Sequence, residues 1–119
     1  VKFIRLQVSA PFHSKLMKPA RDKMEILLKA TTLTRQNTVM IPNVSAQPAP
    51  DYGVEQLIAQ VDSPVRWYQT MDAAHQQGAR TFLEIGPGKV LQGLAKRILP
   101  RGEMKILGTE NIHDTLKSL

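Results

Sequence analysis

His13 stands in the string Val8-Ser9-Ala10-Pro11-Phe12-His13-Ser14-Lys15-Leu16-Met17, on a turn that leads straight into an amphipathic helix. An imidazole with an unperturbed pKa near ~6.5 takes and returns a proton around neutrality, which makes histidine the usual general base for a hydroxyl nucleophile. A strand-to-helix junction is also where ligand clefts of open α/β sheets form. The plainer alternative is a histidine that caps or packs at the junction. No hydroxyl in the chain completes the pair, because Ser9, Ser14, Ser45, Ser63 and Ser118 all lie outside a Gly-x-Ser-x-Gly elbow. The absence of cysteine removes a thiolate nucleophile, a disulfide framework and a Cys-based zinc site, and fits a reducing, cytoplasmic setting. His75 and His113 have no ligand partner three or four residues on, so no metal site is expected.

The second block with chemical interest is Glu84-Ile85-Gly86-Pro87-Gly88-Lys89-Val90-Leu91, an apolar strand running into a Gly-Pro-Gly turn and a helix. Glycines before a helix expose amides that suit phosphate. The spacing of a nucleotide phosphate loop is missing, however, and Lys89 is followed by Val90, so nucleotide hydrolysis is not supported. The formal charge of +6 suits an acidic partner, but the basic residues are scattered and aromatics make up only 5% of the chain. A base-stacking surface for nucleic acid is therefore not expected. Lys96-Arg97 would suit an acidic carrier or a phosphate, or simply a solvated helix face. Apolar runs such as Ile26-Leu27-Leu28 are too short to span a bilayer, so no membrane partner is expected.

The elements that must position these residues alternate. Lys2 to Ser9 reads as a short strand, and Ser14 to Ala30 as a helix buried along Leu16, Met17, Ala20, Met24, Leu27 and Leu28, with Pro19 in its first turn. Thr38 to Pro42 predicts a buried strand and Gln47 to Asp51 a proline-stiffened loop. Helices are expected over Val54–Val61 and Pro64–Gln77, the latter capped by Ser63 and ended by Gly78. A strand over Arg80–Ile85, a helix over Lys89–Leu99, a strand over Met104–Leu107 and a terminal helix over Ile112–Leu119 with Asn111 as cap complete the series. Strands alternating with helices imply an α/β fold with a mostly parallel sheet.

Taken with Ser63-Pro64-Val65-Arg66-Trp67, the two blocks resemble the C-terminal part of the malonyl-CoA:acyl-carrier-protein transacylases, and the resemblance covers nearly the whole chain. It implies the C-terminal portion of an α/β-hydrolase-like acyltransferase fold. Residues 1–8 would close the small ferredoxin-like subdomain and residues 9–119 would belong to the large domain. The family's nucleophilic serine lies in a G-H-S-x-G elbow upstream, so the chain is expected to be a piece of a longer enzyme, inactive alone without its N-terminal half. His13 becomes the catalytic base. A backbone carbonyl orients the base in this family, and matching Gln60-Val61-Asp62-Ser63-Pro64-Val65-Arg66-Trp67 to the family's Q-x-x-x-P-V-x-W segment assigns it to Gln60. Asp62 is a rival orienting group, or a solvated turn carboxylate. Phe12 would narrow the acyl pocket against an α-methyl branch, or pack in the core. The Gly-Pro-Gly turn becomes a structural element near the active-site wall. The implied reaction moves malonyl from malonyl-CoA to acyl carrier protein in fatty acid synthesis, with malonyl-CoA as substrate and no cofactor. A polyketide synthase acyltransferase piece and a non-catalytic basic interaction domain are the alternatives.

Overall fold

The computed structural model describes residues 3, 8–34, 37–100 and 102–109. Most of the strand expected over Lys2–Ser9, and the terminal helix with Asn111 and His113, lie outside the described residues. The chain divides into two compact units at Arg66 and Trp67.

In the first unit Ser14 opens a short 3-10 turn, Lys15–Met17, by accepting the Leu16 amide on Oγ while donating to the Pro11 carbonyl at 2.8 Å. Helix α1, Lys18–Lys29, follows with Pro19 at a position where a missing amide costs nothing. It packs against the six-residue helix α2, Val54–Ala59. Gln56 Oε1 accepts the Gly53 amide at 3.0 Å and so satisfies one orphan donor at the start of α2. Ile58, only 1% exposed, is the buried residue of α2.

Three expectations change here. The stripe expected on α1 is only partly withdrawn from solvent: Met17, Ala20 and Leu28 are half-buried, but Leu16 is 75% and Leu27 65% exposed, and Met24 is exposed too. The half-buried face also takes in Arg21 and Glu25, two charged residues that the apolar spacing did not include. Residues 38–42 form no strand, because the only ladder partner of Met40 in the described residues is an isolated antiparallel bridge to Ala49. Finally, Ser63-Pro64 does not open a helix. The Arg66 amide is taken by the Asn43 carbonyl at 3.1 Å, and the helix begins only at Trp67.

The second unit is a βαβ arrangement preceded by a helix. After α3, Trp67–Gln76, strand β1, Thr81–Glu84, pairs in parallel with β2, Lys105–Gly108, in the register Thr81 to Lys105 through Glu84 to Gly108. Helix α4, Val90–Ile98, forms the crossover that a parallel pair requires. Met71 of α3 and Ala95 and Leu99 at α4 make the core, with Trp67, Phe82, Ile98, Met104 and Ile106 packed on it.

The Gly86-Pro87-Gly88 turn works through backbone conformation: Gly86 and Gly88 hold φ of 141° and 85°, where a side chain would be strained. Glu84 then closes the helix start. Its two carboxylate oxygens accept the amides of Leu91 and Gln92 at 3.1 and 3.2 Å. Desolvation pushes the Glu84 carboxyl upward, yet the Gln92 and Leu91 amides together outweigh it and hold the group below its ordinary value.

Candidate active site

His13 is exposed and sits at φ 55°, in the left-handed region that a non-glycine residue enters at a cost of about 1–2 kcal/mol. Such a conformation persists only where neighbouring contacts over-determine it. The ring is met on one side by the C-terminal turn of α2. Gln60 is the residue after α2, and its carbonyl is one of those that a helix end leaves without an internal donor. His13 Nδ1 lies 3.0 Å from that oxygen across 47 residues of chain. A carbonyl accepts only, so Nδ1 carries the proton of this bond and Nε2 is left as the basic nitrogen. The carbonyl dipole also stabilises the imidazolium that forms when Nε2 takes a proton.

Phe12 precedes His13 on the same turn and is 57% exposed. It is not a core residue, and its ring is available to a ligand beside the imidazole. Gln60 and His13 are therefore brought together, and Phe12 is adjacent to them in the chain.

Asp62 was open to two readings from the sequence, and neither describes it. It does not touch the imidazole, and it is not solvated, being only 6% exposed. Its charge is balanced by Lys15 Nζ at 3.2 Å on Oδ2 and by Arg21 Nε at 3.7 Å on Oδ1. Periodicity gave no hint of this pairing, since both partners are long-range. The one available signal was that Lys15 and Asp62 each stand two residues beyond His13 and Gln60.

In the second unit, Lys96 and Arg97 are exposed in the last turn of α4, where basic residues complement the helix carbonyls. The Gly-Pro-Gly turn is joined to the end of β2 by the Gly86 amide, which donates to Thr109 Oγ1 at 3.0 Å.

No family profile matches the chain. Individual relatives do. The malonyl CoA-acyl carrier protein transacylase of Bacillus subtilis is 44% identical over 97 residues, 80% of this chain and 31% of its own length. The crystal structure of a malonyl CoA-acyl carrier protein transacylase from Clostridium perfringens superposes with a TM-score of 0.85 at 33% identity, over 97% of this chain and 37% of that one. A malonyl-transacylase solved in complex with its type II PKS acyl-carrier protein gives 0.81 at 33% identity, over 96% and 37%. The α/β architecture is theirs. This chain belongs to the malonyl CoA-acyl carrier protein transacylase family and spans a region about a third the length of the curated relatives it matches.

Proposed function

We propose that the chain carries the general-base half of an acyltransferase that moves a malonyl group from malonyl-CoA to the phosphopantetheine thiol of acyl carrier protein. The single observation that carries the reading is the His13 Nδ1 contact with the Gln60 carbonyl, in a chain whose relatives are malonyl transacylases. With Nδ1–H committed to that carbonyl, Nε2 accepts the proton of a serine hydroxyl. The chain has no Gly-x-Ser-x-Gly elbow, so the serine comes from another part of the enzyme. The serine oxygen attacks the thioester carbon, the carbon–sulfur bond breaks, and the imidazolium returns its proton to the departing CoA thiolate. In the second half His13 takes the proton of the carrier's thiol. That sulfur attacks the malonyl-serine ester, and the proton goes back to the serine oxygen. This is two-step covalent transfer, balanced in protons, and needs no cofactor.

Phe12 lines the acyl side of this site and disfavours a branched acyl group. Lys96 and Arg97, exposed together at the end of α4, meet the acidic carrier protein. The setting is fatty acid synthesis in the cytoplasm. A polyketide role is the second reading, favoured by the relative solved with a type II PKS carrier.

The test places this chain in the corresponding region of the Bacillus subtilis relative and follows malonyl transfer from malonyl-CoA to holo carrier protein. The hybrid is expected to transfer malonyl and the 119-residue chain alone to transfer none. Activity of the chain alone, or a dead but well-folded hybrid, would reject the reading.

A further inference from the structure

We infer that Lys15 and Asp62 are positioning residues for the base: their ion pair locks the turn of His13 onto the end of α2, so that Nδ1 stays on the Gln60 carbonyl. The inference rests on the reading of His13 as the base and names residues that the reaction itself does not use. Two contacts join the same two stretches of chain with the same offset. His13 meets Gln60 across 47 residues, and Lys15 meets Asp62 across 47 residues. They form two rungs, two residues apart on each side, between segments that run in the same direction.

The rungs differ in kind. The His13 rung is a single hydrogen bond at an exposed ring on a backbone of positive φ, and alone it holds the ring weakly. The second rung is anchored on one side. The Asp62 side chain is 8% exposed and the Lys15 side chain 82%. An ion pair between two exposed chains is worth little, but a carboxylate withdrawn from water must keep a cation near it. Arg21, a second cation on Asp62 from α1, keeps the carboxylate balanced when Lys15 is removed. Lys15 is thus dispensable for burying Asp62, and its distinct work is to tie residue 15, two positions past His13, to residue 62.

The experiment labels the histidines of the hybrid enzyme carrying this chain with 15N and reads the two ring nitrogens of His13 at a pH where the ring is neutral, with His13→Ala assigning the signal. The variants are Lys15→Met, Asp62→Asn and Asp62→Glu, each checked by circular dichroism. The expected result is one Nδ1–H tautomer in the parent and a separation between the two nitrogens that falls by more than half in Lys15→Met and Asp62→Asn. His75 stays unchanged, and Asp62→Glu, which keeps the charge, retains most of the separation. Should Asp62→Asn fail to fold, Lys15→Met decides, since Arg21 still balances the carboxylate. A parent with one tautomer and a Lys15→Met chain that keeps it would overturn this inference alone. Averaged nitrogens already in the parent would overturn the oriented base itself, and this inference with it.

Discussion

At His13 two features meet: a left-handed backbone with φ of 55°, and a carbonyl 3.0 Å from Nδ1 that fixes its proton. The partner atom belongs to the main chain of Gln60, so the identity of that side chain matters little. Replacing Gln60 by Ala is expected to leave malonyl transfer in the hybrid enzyme within a few-fold of the parent, because the carbonyl survives. A loss comparable to that of His13→Ala would transfer the role to the Gln60 amide. The string around His13 made the histidine visible before any coordinates, and the short Q-x-x-x-P-V-x-W match pointed at Gln60. Asp62 was singled out as well, but not its burial or its pairing with Lys15 and Arg21. Sequence patterns report local periodicity, and the burial of Asp62 depends on segments 41 and 47 residues away that fold onto it.

At the scale of elements, α2 is six residues long and depends on packing rather than on its own propensity. Ile58 is its anchor at 1% exposure, two residues before the carbonyl that serves His13. Ile58→Ala is expected to cost about 2–5 kcal/mol, read from urea unfolding, and to free the His13 ring as well. In the second unit β1 hands its last residue to α4, since Glu84 caps the helix that follows the Gly-Pro-Gly turn. The capped carboxyl titrates below its ordinary value. Its stabilising effect is therefore present above the ordinary carboxylate range and is lost as pH falls through the lowered folded value. Glu84→Gln is expected to lower the urea midpoint at neutral pH, and the difference from the parent should shrink as pH approaches ~3. A constant difference across that range would remove the charge from the explanation. The strand-helix-strand order here was legible because apolar runs and glycine turns are local. The expected strand at residues 38–42 is reduced to the single bridge of Met40 with Ala49, and the segment after Pro64 is engaged by a long-range bond from the Arg66 amide to the Asn43 carbonyl, neither of which local patterning reports.

At the scale of the whole molecule, the largest departure from the sequence pattern is α1. Leu16, Ile26 and Leu27 are each at least 65% exposed, although the spacing of Leu16 and Leu27 reads as a core stripe. The chain spans about a third of its curated relatives' length, and a pattern written for burial makes sense when more protein lies against it. The isolated chain is expected to self-associate with rising concentration in sedimentation velocity, and Ile26→Glu with Leu27→Glu to reduce that association. A parent chain that stays monomeric would show that this face needs no cover. The central claim is that the exposed imidazole on this region is the base of a malonyl transferase. The most direct measurement is malonyl transfer by the hybrid enzyme carrying this chain, with and without His13→Ala. A fall of about 10²–10⁴ with the fold intact is the predicted result; transfer that survives the loss of His13 would contradict the account.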